Sequence, residues 1–104
     1  MMDKDILIMY LQNVMSTISE EENIDQRNIH VYLFGSARYK KEYNDIDILV
    51  TYNSVDYAKI LLARQIMYNK LNEILKKRID ITLLTDNEAK DTNFIVEENC
   101  ELVF

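Results

Sequence analysis

The spacing of apolar residues along this chain switches repeatedly between a helical and a strand pattern, and that alternation limits the folds open to it. Residues 3–20, DKDILIMYLQNVMSTISE, place Ile6, Leu7, Tyr10, Leu11, Val14, Met15 and Ile18 three or four residues apart. This is the stripe of an amphipathic helix, with Asp3 and Asp5 favourable near its N-terminus. A polar connector, EENIDQRN, leads into HVYLF at 30–34, which is rich in β-branched and aromatic residues and reads as a buried strand. SARYKKEYN reads as a short helix or a loop, and DIDILVTY at 45–52 as a second strand. The longest helical period spans 55–77, with Ala58, Leu61, Leu62, Ile66, Tyr68, Leu71, Ile74 and Leu75 on or near one face. Asn53 and Ser54 offer a turn and cap before it, and Lys76, Lys77 and Arg78 suit its C-terminal end. IDITLL at 79–84 is a third strand, Asp86 caps a short helix reaching about Phe94 or Val96, and CELVF supplies a last short strand. The order α-β-α-β-α-β-α-β implies a layered α/β (α+β) domain, a small mixed β-sheet with helices packed on it.

With 104 residues, 48% apolar and 29% charged, the chain fits one globular domain, residues 1–104. No internal repeat or linker divides it. A net charge of −6 disfavours sequence-blind nucleic-acid binding, which needs a basic face. The single cysteine, Cys100, excludes an internal disulfide and a cysteine-rich zinc site. No apolar run reaches membrane-spanning length, and MMDKD lacks the basic start and apolar stretch of a signal peptide. These features predict a soluble, cytoplasmic protein. His30 reads as a structural residue at a strand entrance.

The chain has no proline and one glycine. Gly35 therefore answers a local need, either a positive φ or a close approach to the backbone. It follows the HVYLF strand and precedes Ser36, and a Gly-Ser turn of this kind can receive phosphate oxygens at free backbone N–H groups and a hydroxyl. Arg38, Lys40 and Lys41 lie close by in sequence.

Acids on strands that are otherwise apolar are the second anomaly. Side chains two apart on a strand point the same way, so Asp45 and Asp47 share a face while Ile46 and Ile48 take the other. Asp80 repeats the theme between Ile79 and Ile81. If these strands are neighbours, three carboxylates converge at one edge. Without a cation they repel. Hard oxygen ligands suit Mg²⁺ or Mn²⁺, and a pair of such ions is a standard device for in-line attack on phosphorus.

GSARYKKEYNDID resembles the signature of the DNA polymerase β-like nucleotidyltransferase superfamily: Gly-Ser, a spacer of about eight to ten residues, Asp-x-Asp, and a later third carboxylate. Here the spacer has eight residues, and Tyr39 stands where many members carry a glycine. In length, and in its C-terminal FIVEENCELVF, the chain is similar to the minimal nucleotidyltransferase (MNT) proteins of bacteria and archaea. The resemblance implies a nucleotidyltransferase-like fold and an EC 2.7.7 class transferase. Asp45, Asp47 and Asp80 would be the catalytic residues and the ligands of two Mg²⁺ or Mn²⁺ ions. Gly35, Ser36 and Arg38 would bind the phosphates of ATP, the expected donor. Such stand-alone proteins are commonly paired with a HEPN-type toxin, so the resemblance also implies an antitoxin that adenylylates a partner tyrosine. A chain this short must leave its cleft open or borrow a wall, which favours a partner protein or self-association. The alternatives are an antitoxin that neutralises by binding alone, or a transferase acting on a small molecule such as an antibiotic.

Overall fold

A computed structural model describes residues 3–40 and 42–104. The chain folds as α1 (Lys4–Glu21), a 3-10 turn (Gln26–Asn28), β1 (Ile29–Phe34), α2 (Ser36–Tyr39), β2 (Asp45–Tyr52), α3 (Tyr57–Ile74), β3 (Arg78–Thr85), α4 (Asp86–Asp91), α5 (Phe94–Glu97) and β4 (Glu101–Leu102). The strands form one mixed sheet in the order β3-β2-β1-β4. β1 runs antiparallel to β2 and β4, whereas β2 and β3 are parallel, joined through α3. A parallel pair needs such a crossover.

The mixed sheet with its helices is the expected architecture, but several element ends are set by other residues. Asp3 caps α1, accepting from the Ile6 amide at 2.9 Å. Asp56, not Asn53 or Ser54, caps α3, accepting from the Ala58 amide at 3.0 Å. Ser54 instead occupies a left-handed turn, and the Asn53 side chain donates to Asp86. α3 stops at Ile74, because Leu75 turns into an extended conformation and is buried. Lys76, Lys77 and Arg78 therefore lie beyond the last turn. Lys77 reaches the Tyr43 carbonyl at 2.6 Å, and Arg78 opens β3 opposite Asp45. Thr85 rather than Asp86 caps α4, in a reciprocal capping box with Glu88. The helix expected after it is broken at Asn93, whose left-handed backbone separates α4 from α5.

One sheet face buries Ile29, Val31 and Leu33 of β1, Ile46, Ile48 and Val50 of β2, and Ile79 of β3 in the same cluster as Leu7, Leu11, Met15 and Ile18 of α1. The buried stripe of α3 is Ile60, Ala63, Met67 and Leu71, while Leu62, Tyr68 and Ile74 are exposed. A 3-4-4 spacing satisfies the core, and it is offset from the fuller apolar stripe visible in the sequence. The opposite sheet face carries His30, Tyr32, Phe34, Asp45, Asp47, Leu49 and Thr51 by strand alternation. α4 and α5 shield part of it, with Phe94 edge-on to Phe34 at 5.3 Å between ring centroids.

Candidate active site

The site starts with β2. Ile46 and Ile48 are wholly buried, contributing together roughly 3–6 kcal/mol of apolar burial. That fixes which face the alternate residues take, so Asp45 and Asp47 must project onto the opposite, half-covered face. The parallel register then sets Asp47 directly beside Asp80, and Asp45 beside Arg78. Adjacent strands lie roughly 4.8 Å apart, so of the three acids expected together Asp47 and Asp80 are direct neighbours, with Asp45 two residues along β2 on the same face. On the other side of Asp47 stands Phe34, the last residue of β1.

Gly35 follows Phe34 at φ 74° and ψ −158°, a region that residues with side chains avoid. It answers the second need as well. A Cβ at this position would come within 3.1 Å of Asp47 Cγ, so the glycine leaves the space that the Asp47 carboxylate fills. Ser36 opens α2 beside it, half-buried, and Ala37 is fully buried and anchors that single turn.

Electrostatic crowding is centred on Asp47. Its pKa lies above the ordinary aspartate value, chiefly because burial penalises the charge, and further because Asp80 and Asp45 repel it. The Arg78 charge partly offsets this, and Glu98 adds to the repulsion. Glu98 was not among the candidates read from sequence. It is exposed at the end of α5 in FIVEEN, where no spacing signal sets it apart from its neighbours. Asp80 is exposed, and its carboxylate lies 3.3 Å from the Arg78 guanidinium. Among the described residues no three Asp, Glu, His or Cys side chains are gathered closely enough to hold one ion together. The donors nonetheless fit a hard divalent cation: carboxylate oxygens on adjacent strands, with a charge excess that a cation would relieve.

Arg38 points elsewhere. Its Nε donates to Glu101 at 3.3 Å, and its Nη1 donates to the Tyr39 hydroxyl at 2.6 Å and to the Asn99 carbonyl. The Tyr39 hydroxyl also accepts from the Asn99 side chain, and Lys4 holds Glu101 at 2.7 Å. Tyr39, in place of the common glycine, thus ties the turn after Gly35-Ser36 to the C-terminal segment. Lys40 is exposed in this region, and Lys41 lies outside the described residues.

The model of the nucleotidyltransferase domain family matches residues 5–103. The chain belongs to that family. The match spans the Gly-Ser turn and all three strand aspartates of this nucleotidyltransferase domain, and its general chemistry is nucleotidyl transfer. The four-stranded mixed sheet with flanking helices agrees with a nucleotidyltransferase-like fold. No curated protein matches the chain significantly. No helix of the described residues is long and apolar enough to cross a membrane.

Proposed function

We propose that this nucleotidyltransferase moves AMP from ATP onto an acceptor hydroxyl. The observation that carries the reading is the placement of Asp47 beside Asp80 on parallel strands, with Asp45 on the same face and Gly35 leaving room for the carboxylate. Two Mg²⁺ or Mn²⁺ ions, when bound, would supply the Lewis acidity that activates the acceptor oxygen and steadies the leaving group. Asp45 and Asp47 would hold both ions and Asp80 one. Gly35 exposes its backbone to the phosphates, and the Ser36 hydroxyl donates to a phosphate oxygen. Arg38 contributes positive charge beside that turn while its bonds to Glu101 and Asn99 fix the turn's position. The acceptor oxygen bonds to the α-phosphorus, the bond to the β-phosphate breaks, pyrophosphate leaves, and the acceptor proton passes to Asp80.

We assign the acceptor as a tyrosine on a partner protein of the HEPN toxin class, with this chain as its antitoxin. An exposed Asp80 at the sheet edge favours an acceptor presented on another macromolecule. The test mixes the purified chain with the neighbouring gene's product, Mg²⁺ and ATP, and reads added nucleotide by intact mass. Asp45→Asn with Asp47→Asn should lower the rate by about 100-fold or more and abolish protection of cells. Undiminished protection by that double variant would establish neutralisation by binding alone.

A further inference from the structure

The sheet ends on β3, an edge strand eight residues long, whereas the opposite edge is the two-residue β4. The Arg78 amide donates to the Asn44 carbonyl at 3.1 Å, and this fixes the parity of β3. N–H and C=O of one strand residue point the same way, and those of its neighbours point the other way. Arg78, Asp80, Thr82 and Leu84 therefore bond toward β2, while Ile79, Ile81 and Leu83 turn their backbone groups outward and the Thr85 amide is taken by Glu88 at 2.9 Å. Long edges are usually blunted by lysine, proline, a charge or a bulge. Residues 81–85, ITLLT, hold none of these residue types. Alongside runs an open groove of about 290 Å³ lined by Arg64, Gln65, Tyr68 and Ile81, with Tyr68 exposed.

The charges at the two ends of this strand differ in sign. Lys76, Lys77 and Arg78 lead into it, and Asp86 and Glu88 follow it. An identical strand laid antiparallel sets the basic entrance of each copy against the acidic exit of the other. A parallel copy would set like charges together at both ends. This complementarity selects a second copy of the chain as the occupant.

We propose that β3 is the contact through which two copies pair, antiparallel about a two-fold axis at Thr82. Thr82 then faces its own counterpart, Ile81 faces Leu83, and Asp80 faces Leu84 without a like charge opposite. The outward N–H and C=O groups of Ile81 and Leu83 in both strands find partners, and two four-stranded sheets become one. Tyr68 and the groove beside Ile81 close against the second copy. Both sets of aspartates lie on the same face of the joined sheet, with the two Asp80 positions roughly 14 Å apart along the strands.

The test uses the full chain, and it is independent of whether nucleotidyl transfer is detected. Sedimentation should show a concentration-dependent dimer that weakens with salt. In a Cys100→Ser background, Thr82→Cys should form a covalent dimer on mild oxidation. Facing residues of a non-hydrogen-bonded pair have Cα atoms about 4.5 Å apart, within disulfide reach. Asp91→Cys, remote on α4, should not. Leu83→Pro removes an outward N–H and spares the β2 ladder, so it should weaken dimerisation roughly tenfold or more while circular dichroism is unchanged. A chain that stays monomeric at its highest soluble concentration overturns the proposal. So does a dimer that Thr82→Cys cannot trap, or a different protein's strand found on β3.

Discussion

In Gly35→Ala one added methyl group meets two separate obstacles. The backbone at φ 74° and ψ −158° is nearly exclusive to glycine, and holding another residue there costs about 1–3 kcal/mol. The new Cβ would also sit 3.1 Å from Cγ and 3.3 Å from Cβ of Asp47, inside the ~3.5–4.0 Å of a comfortable carbon contact. Asp47 stands on an inner strand between Phe34 of β1 and Asp80 of β3, which leaves its side chain little room to move aside. Strain and overlap together predict a loss of roughly 2–4 kcal/mol, severe beside the ~5–15 kcal/mol that holds a domain folded. Denaturant unfolding of Gly35→Ala, Asp47→Ala and the double variant separates the two causes. Removing the Asp47 carboxylate relieves most of the overlap, sparing only the contact with its Cβ, and leaves the backbone strain, so the double variant should recover about 1–2 kcal/mol relative to additivity. A Gly35→Ala loss under about 0.5 kcal/mol, or strictly additive costs, would refute the argument that the glycine exists to admit this carboxylate.

Two further outcomes concern charge. The raised pKa of Asp47 means that the native state binds its proton more tightly than the unfolded chain does. Stability is then lost as pH rises from the ordinary aspartate value of 3.8 through the raised native one. Asp47→Asn should erase that component, seen as a melting-temperature difference from the parent that widens in the variant's favour toward neutral pH in metal-free buffer. Added Mg²⁺ should stabilise the parent and not this variant. Arg78→Gln removes the cation 3.3 Å from Asp80, so divalent affinity by thermal-shift titration should rise, by up to about fivefold for a pair this exposed. Weakened binding would mean that Arg78 orients Asp80 instead of competing for it.

Much of the site was legible because its signals are local. Alternation along DIDILV assigns the two aspartates to one face, whatever the neighbouring strands do. That Asp80 belongs with them depends on β2 and β3 being adjacent and in register, and spacing in the sequence does not encode pairing. Ends of elements were harder to read. Asn53, Ser54 and Asp86 are good caps by residue type, yet Asp56 and Thr85 take those positions. Where α3 can start depends on where the β2 turn releases the chain. Likewise α3 shows more apolar residues than it buries. Leu62 and Tyr68 continue the stripe in sequence but lie outside the core. Arg38 was picked out by its place after the Gly-Ser pair, but its tie to Glu101 and Asn99 and the approach of Glu98 to Asp47 could not be read, since both join the C-terminal segment to residues about fifty or more positions earlier.

That C-terminal segment explains how so short a turn is kept in place. A four-residue helix has almost no stability of its own, so α2 cannot hold Gly35-Ser36 by itself. Ala37 anchors it from below in the core, and Arg38 and Tyr39 tie it sideways to Asn99 and Glu101. Glu101 is in turn fixed by its pairing with Leu33 on β1, the strand that delivers the turn. Its pKa is held below the ordinary glutamate value, chiefly by the bond from Lys4 and also by Arg38, so it remains a charged anchor at neutral pH. The crowding at Asp47 is absent from the clamp, where the one carboxylate, Glu101, has two cations, whereas the three strand aspartates have Arg78 beside Asp80. The molecule pairs its charges where it needs rigidity and leaves the excess on β2 and β3, the place where a divalent ion would bring binding energy with it.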